Sequence, residues 1–109
     1  MGLGGNGAPV KDAVNPAHIV TVRNFSRDTL RAIVAHLEVS TDFDHLVYRE
    51  AELDAIWSIT GFFLGQEPYS AQHDAIRRLH EGAHRAHDLV GERRPQDAAA
   101  LLYKLCALV

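Results

Sequence analysis

The chain has 109 residues, of which 47% are hydrophobic and 23% charged, and this length and composition are typical of one folded globular domain rather than a disordered chain. The formal net charge of -3 gives no support for binding to nucleic acid or to anionic lipid. The single cysteine excludes an internal disulfide, we find no pattern of a signal peptide or a membrane span, and we expect a reducing, cytoplasmic compartment.

The N-terminal segment is predicted to be a flexible tail over residues 1–17. Four of its first seven residues are glycine, and Pro9 and Pro16 follow. Residues 18–22 are rich in β-branched side chains and predict a short extended arm over residues 18–23. This arm either lies along the helices or pairs with its copy in a dimer. The folded domain accordingly spans residues 18–109.

Two helices are predicted in the first part of that domain. Asn24 or Ser26 caps the first helix, which ends near Val39. Its apolar stripe is Leu30, Ile33, Val34 and Leu37. The second helix starts at Asp42 and ends at Gly65. Its core pattern is Leu46, Leu53, Ile56, Trp57, Thr60, Phe63 and Leu64.

Two further helices follow, and both have clear boundary residues. Gly91 ends the third helix and Pro95 opens the fourth. Their apolar stripes are Ile76, Leu79, Ala83, Ala86 and Val90 in the third, and Ala98, Leu101, Leu102, Leu105 and Leu108 in the fourth. Because every connection is short, successive helices should be antiparallel neighbours. The predicted fold is an all-α, antiparallel up-down four-helix bundle.

The second helix carries another apolar stripe opposite its core stripe. This stripe consists of Tyr48, Ala51, Ala55, Ile59 and Phe62. A helix that is apolar on two sides is normally covered on two sides. Either another helix or the 18–23 arm covers it within the chain, or it is a self-association or partner-binding surface. Small residues between larger ones favour close approach of a second helix.

Histidines are concentrated in the third helix, at positions 73, 80, 84 and 87. Only spacings of three or four bring two imidazoles of one helix to one metal ion. Antiparallel packing would bring the start of the second helix towards them. The resulting candidate metal set is His84, His87, His45 and Glu50, for zinc or another transition metal. A pH-dependent assembly is another hypothesis for these histidines.

No recognisable catalytic pattern occurs in the sequence. Cys106 lies among leucines in the sequence and is predicted to be a buried structural thiol. Gly61 and Gly82 interrupt helices at a cost of about 1 kcal/mol each relative to alanine, and the stripes do not explain Gly82. The leading hypothesis is a non-catalytic helical interaction or regulatory module without a cofactor, a homo-oligomer or a binder of a protein partner. The alternative is a metal-binding helical bundle.

Overall fold

A computed structural model describes residues 16–39, 42–66 and 71–109, which form four α-helices. They are α1 (Pro16–Val39), α2 (Phe43–Gln66), α3 (Ala71–Gly91) and α4 (Pro95–Leu108). The described residues contain no strand. The all-α four-helix bundle predicted from the sequence is confirmed.

The helices of two packed pairs, α2 with α3 and α1 with α4, run in opposite directions. Glu50 and Thr60 of α2 lie beside His87 and His80 of α3, so residue numbers rise along one helix as they fall along the other. In the α1–α4 pair, Arg31 contacts the backbone of Cys106, whereas Glu38, further along α1, lines a cavity with residues at the start of α4. These directions are consistent with an up-down order of helices.

The core is built from the stripes that helical spacing predicts. Every residue predicted for the apolar stripes of α1 and α3 is buried. In α2 the buried residues are Leu46, Leu53, Ile56 and Thr60. In α4, Ala98 and Leu102 are buried, while Leu108 is exposed. Side chains repeating at intervals of three and four lie on one face of a helix, which is why the stripes meet at the centre.

The extended arm predicted for residues 18–23 is wrong, because these residues form the first turns of α1. Ile19, Val22 and Ser26 are buried and continue the spacing of the stripe that begins at Leu30. The β-branched residues favour an extended chain only weakly, and burial of a helical face outweighs that preference. Ser26, predicted as a cap, is therefore an interior residue of the helix.

The connection between α3 and α4 has a compact turn. The backbone N–H of Arg94 donates to the carbonyl of Leu89 at 2.8 Å, and that of Arg93 donates to the carbonyl of Val90 at 3.0 Å. Arg93 has φ of 64°, the left-handed conformation common after a helix end. Pro95 stands in the first turn of α4, as predicted.

The predicted tail falls, for residues 1–15, outside the described residues, and Pro16 and Ala17 begin α1. None of the helices described here is both long enough and apolar enough to cross a membrane.

Candidate functional site: the outer face of α2

Helix α2 exposes an apolar stripe on the side away from the core, which we call the outer face of α2. Its residues are Tyr48, Ala51, Ala55, Ile59 and Phe62, the set identified from the sequence. Tyr48 is 63% exposed, Ile59 37% and Phe62 59%, and both alanines are exposed. The opposite side of the same helix is buried, with Leu53 and Thr60 at 0% exposure. The helix is therefore apolar on two sides, and the bundle covers one.

No described part of the chain takes the covering role that the sequence left open. The residues of the expected arm belong to α1, where Ile19 and Val22 point into the core. The other helices pack on the inner side and flanks of α2, and Tyr48 and Phe62 stay more than half exposed. One exposed aromatic side chain therefore lies at each end of the apolar stripe, and contiguous exposed apolar patches are uncommon on folded proteins.

The ring of the exposed Phe62 contacts the ring of Phe63. The rings of Phe62 and Phe63 meet edge to face, with centroids 5.4 Å apart and an interplanar angle of 80°. Phe63 is half-buried, so it links the exposed ring to the body of the bundle. Edge-to-face contact is a favourable geometry for aromatic pairs. Phe62 is thus supported in an outward position without being covered.

One flank of the outer face carries a paired charge. Arg49 Nε lies 2.6 Å from Glu52 Oε1, and both atoms are buried from solvent. The two atoms do not meet in hydrogen-bonding geometry, so the contact is an ion pair. The flank beside the apolar stripe therefore presents these two charges as a pair whose sum is zero.

On its other flank α2 packs against α3 through an aromatic cluster made of Trp57, His80 and His84. The Trp57 indole stacks on both imidazoles, with centroids 5.4 Å from each and interplanar angles of 15° and 29°. Sequence analysis assigned Trp57 to the core stripe, but it lies at the boundary and is 38% exposed. The histidine spacing alone gave no sign that the partner of these rings is an indole from the neighbouring helix.

His80 is fixed by hydrogen bonds to α2. Its Nδ1 lies 2.9 Å from the carbonyl oxygen of Trp57 and 3.0 Å from Oγ1 of Thr60. A carbonyl oxygen only accepts, so Nδ1 carries the proton that bonds to it. Thr60 Oγ1 in turn donates to the Ile56 carbonyl at 2.6 Å. Gly61 makes room for this arrangement, since a Cβ atom there would lie 3.0 Å from Cε1 of His80.

The candidate metal residues come together only in part. His87 Nε2 lies 3.9 Å from Glu50 Oε2, so the predicted contact between the start of α2 and the end of α3 forms. His84 instead approaches Asp88, at 3.8 Å, and stacks on Trp57. His84 and His87 line a cavity of about 160 Å³ with Asp54, Trp57 and Asp88.

His45 lines a different surface cavity, beside Asp42, Asp44, Val47 and Tyr48. Across the described parts of the chain, no three side chains of His, Cys, Asp or Glu lie together as metal ligands. The four-residue metal set therefore stays a prediction from spacing, of which the structure brings His87 and Glu50 together.

Cys106 is buried at the contact between α1 and α4, as predicted for a structural thiol. Its Sγ lies 3.6 Å from the carbonyl oxygen of Arg27, and Arg31 donates to the Cys106 carbonyl at 3.2 Å. Burial raises the pKa of the Cys106 thiol, and Arg31 and Arg27 oppose that rise. The neutral thiol is the favoured form here, which is the opposite of what a cysteine nucleophile needs.

Sequence reasoning missed a shallow groove between α1 and α4. It consists of two cavities of about 410 and 460 Å³ that share Glu38 and Tyr103. Alanines at positions 35, 99, 100 and 107 line the groove, and Arg31 stands on its edge. The alanines of α4 were a signal in the sequence, because small side chains on a helix surface leave room between helices.

No family model, curated protein or solved structure matches the chain.

Proposed function

We propose that this chain is a non-catalytic helical interaction module that self-associates through the outer face of α2. The observation that carries the proposal is the exposure of Tyr48 and Phe62 at the two ends of one continuous apolar stripe. Burial of apolar surface drives most protein association, and large aromatic side chains supply much of its energy. A second copy of the chain carries the same stripe, and pairing of the two stripes covers Tyr48 and Phe62 of each copy.

Among the described residues, the other exposed apolar side chains form no comparable stripe. Phe25, Tyr103 and Leu108 are exposed on α1 and α4, but single apolar residues at the surface are normal in folded proteins. The groove between α1 and α4 is concave and has the ionisable side chains of Arg31 and Glu38 among its lining. The outer face of α2 combines length, convexity and apolar character, which favours a helix-to-helix contact.

The test is the oligomeric state of the full chain with aspartate placed on the stripe. Tyr48→Asp and Phe62→Asp should each weaken the dimer at least about 30-fold, because losing an aromatic anchor that the contact buries costs about 2 kcal/mol or more. Analytical ultracentrifugation over a range of concentrations measures the dissociation constant. Circular dichroism should show unchanged helix content, since both side chains are exposed in the single chain.

Tyr103→Asp is the matched control. Tyr103 is 72% exposed, comparable with the 63% of Tyr48, but it belongs to α4. The dissociation constant of this variant should stay within about twofold of the wild type. A wild-type chain that stays monomeric at about 100 μM contradicts the proposal. So does a Phe62→Asp chain that loses its helix content, because that result assigns the stripe to the interior.

A further inference from the structure

The outer face of α2 is nearly symmetric about Ala55. Tyr48 and Phe62 are each seven residues from Ala55, and Ala51 and Ile59 are each four residues from it. Reversing the direction of the helix about Ala55 therefore exchanges the two aromatic residues and exchanges Ala51 with Ile59. A surface with this property is suited to contact its own copy across a two-fold axis.

From this symmetry we infer that two copies pair their α2 helices in antiparallel orientation, with Ala55 at the two-fold axis. The inference rests on the proposed self-association and specifies its geometry. Tyr48 of one copy then lies opposite Phe62 of the other, and Ala51 lies opposite Ile59. Ala55 faces its own copy, so the backbones approach closely where both side chains are small. Next to the axis, the large Ile59 of each copy lies opposite the small Ala51 of the other. At each end of the contact, an aromatic ring of one copy lies opposite an aromatic ring of the other.

The charge distribution along α2 favours the same direction. All charged side chains of the helix lie between Asp44 and Asp54, namely Asp44, Arg49, Glu50, Glu52 and Asp54. Residues 55–66 include no charged side chain. Parallel pairing places the two acidic halves side by side, where like charges repel. Antiparallel pairing places each acidic half against an uncharged half, and it also sets the two helix dipoles in opposite directions.

The register follows from the same residues. Sliding the partner helix by four residues, about one turn, moves the axis to the level of position 53 and sets Phe62 opposite Asp44, because each is nine residues from that position. That contact removes water from a carboxylate and gives it an aromatic ring in place of a polar partner, which is unfavourable. An axis at Ala55 keeps Asp44 beyond the aromatic pairs.

Cysteine cross-linking tests the direction and the register together. A disulfide needs Cα atoms within about 7 Å, so Ala55→Cys should form a covalent dimer with itself under mild oxidation. Ala51→Cys should not, since antiparallel pairing separates the two copies of position 51 by eight residues, about 12 Å along the helix. A mixture of Ala51→Cys and Ile59→Cys chains should cross-link again. The wild-type chain is the blank, because its one thiol, Cys106, is buried.

The expected result is at least tenfold more covalent dimer for Ala55→Cys and for the mixture than for Ala51→Cys alone. Efficient cross-linking of Ala51→Cys with itself overturns the antiparallel arrangement while leaving self-association intact. A wild-type dimer with no cross-link at position 55 also overturns the arrangement. A monomeric wild type overturns the proposed function itself, and ultracentrifugation of the same samples distinguishes these outcomes.

Discussion

The side chain of Leu105 in α4 fills the space that a Cβ atom at position 82 would occupy. Helix α4 therefore packs directly against the backbone of α3 at Gly82. A glycine inside a helix costs about 1 kcal/mol relative to alanine, and here the close approach of α4 offsets that cost. Leu102 and Cys106, on either side of Leu105, are buried in the core, so the contact positions the whole of α4.

Gly82→Ala should lower the free energy of unfolding by about 2 kcal/mol. Overpacking costs typically 1–3 kcal/mol, and the overlap of the new Cβ atom with Leu105 places the cost of this substitution at the upper end of that range. The higher helix propensity of alanine offsets about 1 kcal/mol of the cost. Urea denaturation followed by circular dichroism measures the change.

Gly65→Ala is the matched control, because a Cβ atom there has no neighbour within 4 Å. It should leave stability unchanged or slightly raised. Shortening the neighbouring side chain in Gly82→Ala/Leu105→Ala should remove most of the clash, so the double variant should lose less than the two single changes added together. Strict additivity of the two changes would contradict the contact.

Gly82 also shows why part of the packing could not be predicted from the sequence. The residue that needs the space, Leu105, is 23 positions away on another helix. Helical periodicity describes which residues share a face, but it carries no information about how far α4 is shifted along α3. The core stripes depended on periodicity alone; those of α1 and α3 are buried in full, whereas Trp57 and Leu108 in the other two stripes are exposed.

The start of α1 was predicted wrongly although a signal existed. Ile19, Val22 and Ser26 repeat at helical intervals that continue to Leu30, but the β-branched run was interpreted by its local preference. The outer face of α2 was predicted residue by residue, because it depends only on the helical period. Whether another element covers it depends on tertiary packing, and there the structure was needed.

Arg93→Gly should raise the free energy of unfolding by about 1 kcal/mol. Arg93 adopts φ of 64° in the turn between α3 and α4, and this conformation costs a residue with a side chain about 1–2 kcal/mol, whereas glycine adopts it freely. Arg93→Ala is the control, since it removes the same side chain but keeps the Cβ atom. Equal stability changes for the two variants would show that the backbone conformation is not the cause.

His80→Phe should lower the free energy of unfolding by about 1 kcal/mol. Phenylalanine keeps a ring that can stack on Trp57, but it removes the donor that bonds to Thr60 and to the Trp57 carbonyl, and a typical hydrogen bond contributes about 1 kcal/mol. Trp57 is the single tryptophan, so its fluorescence reports unfolding of the α2–α3 pair directly.

His84→Phe is the corresponding control for His80. His84 also stacks on Trp57, but its approach to Asp88 at 3.8 Å is an exposed contact within α3. Exposed contacts of this kind contribute little. We therefore expect at most a small loss, and a loss as large as that of His80→Phe would show that the hydrogen bonds of His80 are not the cause of its stabilising effect.

Cys106 makes stability depend on pH in the alkaline range. Burial raises the pKa of its thiol above the ordinary value of 9.0, so the unfolded chain loses this proton at a lower pH than the folded chain. The stability that comes from keeping the thiol neutral is therefore complete below pH 9 and is lost as pH rises towards the folded pKa. Between pH 8 and pH 10 the free energy of unfolding of the wild type should fall more steeply than that of Cys106→Ala.

The comparison isolates the thiol because both chains contain the same tyrosines and lysines, which also titrate in this range. Cys106→Ala should be less stable at pH 7, since it removes a buried sulfur that contacts the Arg27 carbonyl. Its deficit relative to the wild type should then shrink with rising pH. A deficit that stays constant up to pH 10 would mean that the thiol ionises equally in the folded and unfolded chains, against the burial seen between α1 and α4.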